Sequence, residues 1–187
     1  MDENNETIKN IMESDTKYSV LFCTDFVAPK FGGVETHSYQ LAQCLVERGH
    51  KVCFISNMYN YTREGVRYMA NGVKVYHLPL LPVLRKDVAF FALFHVIPII
   101  RQILIREHID ICHGHLSTSI TMAMVLVIAK SLGIKTVVTE HTHFIYNDIG
   151  CINLNKMCKW YLKDVDAAIC VSHACKDNFT LRAKINP

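Results

Sequence analysis

A chain of 187 residues, 50% hydrophobic and 20% charged, has room for one well-cored domain and too little for two ordinary ones. That composition excludes a disordered protein. The formal net charge is +3, but Asp2, Glu3, Glu6, Glu13 and Asp15 against Lys9 leave residues 1–15 at −4 and the rest at +7; this mildly basic body suits an anionic ligand or membrane surface and lacks the clustered basic stripe of a nucleic-acid binder.

Residues 1–17 read as a solvated acidic tail, with no secretory leader among them. Eight cysteines follow, several inside apolar runs such as Val20-Leu21-Phe22-Cys23 and Ile169-Cys170-Val171, and no Cys-x-x-Cys pair occurs. This pattern predicts reduced, buried thiols in a cytosolic setting.

Tyr18 to Cys23 is a short apolar run, as in a strand buried on both faces. The stretch from Asp25 to Gly33, with Pro29, Gly32 and Gly33, is a loop. Val34, Ser38, Leu41 and Leu45 then recur at helical spacing until Gly49 stops the helix. Lys51 to Ser56 is a second strand, completing a βαβ opening. Residues 57–72 read as irregular, Asn71-Gly72 as a turn, and Val73 to Leu80 as a strand.

The stretch from about Asp87 to His108 is expected to be helical and bent at Pro98. Its apolar part, Val88 to Ile105, is interrupted by His95, Pro98 and Arg101, so it reads as a buried helix or one lying on a membrane surface rather than a span. Ile109 to His113 reads as a strand, Thr118 to Leu132 as an apolar helix closed by Gly133, and Ile134 to Thr139 as a strand ending in Glu140-His141-Thr142-His143. Asn153 to Val165 is expected to be helical, Ala167 to Val171 a strand, and Ser172 the cap of a last helix reaching about Ala183. The alternation predicts an α/β fold, a doubly wound, mostly parallel sheet of Rossmann-like type, with ligands at the carboxyl ends of its strands.

That rule ranks the candidate residues. Gly32-Gly33 follows the first strand and opens a helix, where bare backbone and free N–H groups favour an anion; the alternative is a tight turn needing positive φ. The pair is not the Gly-x-Gly-x-x-Gly fingerprint, which argues against a nicotinamide dehydrogenase. Glu35 and His37 sit in the first turns of the helix, where Glu35 also complements the helix dipole. His113-Gly114-His115 and His141-Thr142-His143 follow strands, so each pair has members on one face. Four such histidines are compatible with zinc, but no carboxylate or cysteine at a recurring ligand spacing joins them. No metal and no cofactor is assigned, and a histidine acting as a hydrogen-bonding group in the cleft is the richer reading. Trp160 and Tyr161 read as core or an interdomain surface.

Three segments together go beyond pattern. The run Phe31-Gly32-Gly33-Val34-Glu35-Thr36-His37 leading to Arg48-Gly49-His50-Lys51-Val52, the strand Ile109-Asp110-Ile111-Cys112-His113-Gly114-His115, and Thr139-Glu140-His141 resemble the retaining GT-B glycosyltransferases of family 4. Gly72 to Leu80, Leu93 to Arg101, and Ile169 to Ser172 running into Leu181-Arg182-Ala183 are similar to the branch of that family that starts glycosylphosphatidylinositol (GPI) anchor synthesis. The resemblance covers residues 18–187. It implies the N-terminal, acceptor-side domain of a two-domain enzyme, with the C-terminal donor domain absent and the chain stopping at Ile185-Asn186-Pro187 near the connection. It also implies transfer of N-acetylglucosamine from UDP-N-acetylglucosamine (UDP-GlcNAc) to phosphatidylinositol, with retention and without metal. The work is expected at the cytosolic face of the endoplasmic reticulum membrane, with the other subunits of a GPI N-acetylglucosaminyltransferase complex as partners. His141 matches the active-site histidine and is the expected catalytic residue. Gly32 and Gly33 match the positions lining the cleft near the donor phosphates and acceptor, and Glu35, His37, His113 and His115 are the further substrate-binding candidates. A non-catalytic lipid- or subunit-binding fragment and half of another family 4 transferase are the competing readings. An apolar patch left on the last helix is expected to favour association.

Overall fold

The computed structural model describes residues 16–27, 32–57, 64–79, 82–83, 87–88, 93–143 and 149–183. The tail up to Asp15, the loop residues Pro29 to Phe31, and the last residues from Lys184 to Pro187 lie outside the described residues.

In chain order the elements are β1 (Ser19–Cys23), α1 (Gly33–Glu47), β2 (Lys51–Asn57), β3 (Gly65–Tyr68), β4 (Lys74–Leu78), β5 (Pro82–Val83), β6 (Asp87–Val88), α2 (Leu93–Arg106), β7 (Ile111–His115), α3 (Ile120–Ser131), β8 (Lys135–Glu140), α4 (Ile149–Leu162), β9 (Ala167–Cys170) and α5 (His173–Ala183). Seven strands form one sheet in the order β3-β4-β2-β1-β7-β8-β9. All its pairings are parallel except β3 with β4. Counted in chain order, the parallel strands run 3-2-1-4-5-6, the doubly wound arrangement whose ligand crevice opens where the order reverses. Here that point lies between β1 and β7.

The alternation of side chains along buried strands divides the core. Val20, Phe22, Val52, Phe54 and Val75 face one way and pack with Ala42, Leu41 and Leu45 of α1. Leu21, Cys23, Cys53, Ile55 and Cys112 face the other way and pack with α2 and α3. Tyr161 and Leu162 of α4 and Phe179 of α5 continue this second core. Five of the cysteines are buried, at positions 23, 53, 112, 158 and 175, as the apolar run around Cys23 predicts, but Cys170 in the run Ile169-Cys170-Val171 is only half-buried because β9 is an exposed edge strand, and Cys44 is exposed.

Two glycines fix the geometry around the sheet. Gly49 takes φ +83 and ends α1 in a Schellman turn, with Gly49 N–H donating to the Val46 carbonyl at 2.9 Å and His50 N–H to the Leu45 carbonyl at 3.0 Å. Gly114 lets α3 approach β7: a Cβ there would lie 2.3 Å from Met122 Cγ and 2.5 Å from Met122 Sδ, and Met122 is fully buried. Gly114→Ala is therefore expected to cost about 1–3 kcal/mol by overpacking. A urea titration checks this, and an unchanged midpoint would mean that Met122 moves aside freely.

Three elements depart from the sequence reading. The stretch read as irregular contains β3, an edge strand exposed on both faces; its pairing with β4 comes from backbone complementarity and leaves no apolar trace. The start of the helix expected from Asp87 is instead strand, Asp87–Val88 pairing with Pro82–Val83 in a small antiparallel ladder, and the described helix is Leu93–Arg106. A short apolar run cannot distinguish helix from strand by period alone. The strand expected to end at His113 continues to His115, which carries both histidines into the sheet.

A histidine cluster at the candidate active site

The carboxyl ends of β1, β7 and β8 meet the first turns of α1 at the point where strand order reverses. Three imidazoles gather there from three elements. His115 ends β7, His141 follows β8, and His37 stands on α1. Ring centroids lie 5.0 Å apart for His37 and His141, 5.7 Å for His37 and His115, and 5.5 Å for His115 and His141. His115 Nδ1 is 3.2 Å from His141 Nε2. His113 lies one layer deeper, stacked on His115 at 4.5 Å, and its Nε2 bonds Thr139 Oγ1 at 2.7 Å. Phe22 closes the floor against both rings. His113 and His115 thus share a face, as strand alternation predicts. His141 lies beyond the end of β8, so the alternation expected of His141 and His143 does not apply; His143 is exposed.

Exposure rises from the floor to the rim: His115 and His113 are buried, His141 is half-buried and His37 is exposed. Burial, reinforced by the neighbouring histidine charges, lowers the pKa of His113 to about 4 and of His115 to about 2. His141 is lowered by burial and by His37, against the opposing pull of Glu140 and Glu35. The two floor rings are therefore neutral at physiological pH.

Glu140, an acidic residue ending an apolar strand, is the brace of the site. It is almost wholly buried. Its Oε1 accepts from the backbone N–H of His141 at 2.9 Å and of Thr142 at 3.0 Å, and from Thr142 Oγ1 at 3.2 Å. Its Oε2 accepts from Ser117 N–H at 3.1 Å. One carboxylate thus ties the segment after β8 to the segment after β7. Leu116, between His115 and Ser117, holds φ +70, a left-handed conformation that costs about 1–2 kcal/mol for a residue other than glycine. It leads into Ser119, whose Oγ caps α3 by accepting from Met122 N–H at 3.0 Å and donates to Asp25 Oδ1 at 2.7 Å. Asp25, just past β1, thereby links β1 to α3 across the crevice.

The glycines take a more defined role. Gly32 is extended, at φ −149 and ψ −179, and Gly33 is not among the glycines with positive φ, so a turn requirement does not explain them. A Cβ on Gly33 would meet nothing within 4 Å. A Cβ on Gly32 would meet only the Glu35 side chain, at 2.4 Å from Oε2. The backbone at the start of α1 is thus bare on the side away from the core, with no side-chain cap, and it supplies outward N–H groups. Glu35 sits in the first turn, as expected.

Sequence reasoning missed Glu140, Asp25, Ser119 and Leu116. A buried glutamate beside a cleft histidine and a serine opening an apolar helix were the available cues; the left-handed leucine has none. Of the aromatic pair on α4, Tyr161 is core, its hydroxyl bonding the Ser117 carbonyl, and Trp160 is exposed.

Residues 58–148 match a family model described as PIGA (GPI anchor biosynthesis). Over 164 residues the chain is 44% identical to the phosphatidylinositol N-acetylglucosaminyltransferase gpi3 subunit of Schizosaccharomyces pombe, covering 88% of this chain and 36% of that one. Over 176 residues it is 42% identical to the phosphatidylinositol N-acetylglucosaminyltransferase subunit of Arabidopsis thaliana, covering 94% and 39%. The chain is thus similar to part of these transferase subunits, over the stretch that the PIGA model matches and beyond it. It spans less than two-fifths of their length. Sucrose-phosphate synthase from Thermosynechococcus elongatus superimposes with a TM-score of 0.62 at 12% identity, covering 89% of this chain and 45% of that one. At that identity the likeness concerns the fold alone, a doubly wound Rossmann-like unit. The PIGA match includes β7, which carries His113 and His115, and β8 with His141 just past its end.

Proposed function

We propose that this chain is the N-terminal, acceptor-side domain of a retaining glycosyltransferase that moves N-acetylglucosamine from UDP-GlcNAc to phosphatidylinositol, the first step of GPI anchor synthesis. The observation that carries the reading is the 42–44% identity to the A. thaliana and S. pombe transferase subunits over 88–94% of this chain. The site's chemistry agrees with it. Transfer to a hydroxyl needs groups that orient that hydroxyl and meet charge as it develops on the leaving diphosphate. His141, half-buried and held by the Glu140 brace, is suited to contact the reacting sugar or the inositol hydroxyl as a neutral hydrogen-bonding group. Gly32 and Gly33, at the start of α1, offer backbone N–H groups to phosphate. His37 stands at the rim for the acceptor, and His113 and His115 form the neutral floor. In this reading the donor is held mainly by a second domain facing the crevice.

Work at the cytosolic face of the endoplasmic reticulum, beside the other complex subunits, belongs to the same proposal. No described helix is long and apolar enough to cross a membrane. α2 instead exposes Ile97 and Ile105 beside Arg101 and Arg106, an apolar and basic combination suited to an anionic lipid surface.

The test is a chimera in which this chain replaces the homologous segment of the S. pombe gpi3 protein, in membranes lacking the endogenous one. Labelled N-acetylglucosamine is followed from its UDP donor into phosphatidylinositol. Transfer is expected, and His141→Ala should lower it by about a hundredfold or more. A folded, membrane-associated chimera that makes no product would overturn the catalytic reading in favour of a lipid- or subunit-binding module.

A further inference from the structure

We infer that His37, His115 and His141 form a binding site for one divalent transition-metal ion of the zinc class. Each residue offers one imidazole nitrogen, and these nitrogens all lie within 4.8 Å of one another. Zinc bound tetrahedrally at about 2.0–2.1 Å needs ligand nitrogens roughly 3.3–3.4 Å apart. His115 Nδ1 and His141 Nε2 already stand 3.2 Å apart, so only His37 has to move inward. His37 is exposed on the second turn of α1, where its side chain is free to change rotamer.

The rest of the site prepares the two inner ligands. His115 is fully buried between Phe22 and His113, stacked at 5.3 Å and 4.5 Å, so its ring is fixed. His141 is held through its own backbone N–H by the Glu140 carboxylate. Three imidazoles from three elements, with the fourth direction open past the exposed His37, make the ligand set of an open zinc site rather than a closed structural one. The outer shell is weak. His115 Nε2 is buried without a hydrogen-bond partner among the described residues, whereas a metal-bound imidazole normally donates its second N–H. Loss of such a partner lowers affinity 10–100-fold, so binding is expected in the micromolar range and not at the tightness of a structural zinc.

The transfer reaction proposed above needs no metal, so an ion here would act on the site and not in the chemistry. If that proposal holds, zinc engages the His141 lone pair and inhibits transfer. Binding itself is independent of it and is measured directly. The purified 187-residue chain, fully reduced, is titrated at neutral pH with Zn²⁺ against a chromophoric chelator, and with Co²⁺ to read ligand type and geometry from its visible absorption. One equivalent of micromolar affinity is expected, with tetrahedral imidazole coordination and no thiolate charge-transfer band. His37→Gln, at an exposed position that leaves the core intact, should weaken binding at least tenfold, whereas His143→Ala should leave it unchanged. No saturable binding, thiolate coordination at the cysteines, or affinity unaffected by His37→Gln would each overturn the site. Zinc binding with these properties in a chain whose chimera makes no product would uphold the metal site while removing the transferase reading.

Discussion

Glu140→Ala is expected to abolish most transfer and to destabilise the domain together. The carboxylate is almost wholly buried and accepts from three backbone N–H groups and one hydroxyl. Removing it leaves the N–H groups of Ser117, His141 and Thr142 without their acceptor, at about 1–3 kcal/mol for each that water cannot reach. Because two of them adjoin the cleft and can rehydrate, a net loss of about 3 kcal/mol is expected. The kinetic effect follows from position. His141 is held by its own N–H, and a displacement of about 1 Å at a reacting centre is worth about a hundredfold. In the S. pombe chimera, Glu140→Ala should lower the turnover rate by about that factor. Glu140→Gln keeps an acceptor oxygen but places an amide against N–H donors, and should fall between. Urea unfolding separates the effects: if stability falls by about 3 kcal/mol while the folded fraction transfers at the normal rate, Glu140 serves the fold alone.

The second large effect lies at the opposite end of the sheet. Glu107 follows α2 and bridges the starts of β2 and β4, with Lys51 Nζ at 2.8 Å, Lys74 Nζ at 2.7 Å and the Tyr76 hydroxyl also bonded to it. Burial alone would raise its pKa, but hydrogen bonds from Lys51, Lys74 and Tyr76 outweigh burial and lower it from 4.5 to about 2. A carboxylate with a folded-state pKa below its unfolded value stabilises the fold above the unfolded value, and that stabilisation is lost as pH falls through the folded one. The contribution is therefore complete above about pH 4.5 and lost toward about pH 2. At about 1.4 kcal/mol per pKa unit it amounts to about 3 kcal/mol, reduced to about 2 kcal/mol because Lys51 is half exposed and screened. Glu107→Ala should cost about 2–4 kcal/mol at neutral pH, since it also takes the carboxylate from the Tyr76 hydroxyl and from two ammonium groups, of which Lys51 keeps the Glu107 backbone carbonyl. Equilibrium unfolding across the acid range checks the sign: the variant should lose the acid-dependent slope between these values. A variant with the wild-type slope would assign that slope to other groups.

How much was legible depended on the range of the interactions involved. β1, β2, β4 and β8 are short apolar runs closed by turn residues, and their existence follows from local pattern, as does the end of α1 at Gly49. The edge strand β3 and the β5-β6 ladder do not, because their pairing is made by backbone atoms whose partners no side-chain period announces. At the site, the Gly32-Gly33 loop and the two His-x-His segments were visible as residues at strand ends. That His37 joins His115 and His141 while His143 stays outside was not, since it depends on α1 crossing the end of β7 and on β8 ending at Glu140.

The sequence by itself determined a doubly wound α/β domain and a short set of candidate residues at the carboxyl ends of its strands, because periodicity, helix stops and strand-end position are properties of neighbouring residues. Only the tertiary structure decided that Glu140 is a brace, that Glu107 ties Lys51 to Lys74, and that three histidines share one cleft. These are contacts between residues from 23 to 104 positions apart, and such distances close only when the strand order brings their elements side by side.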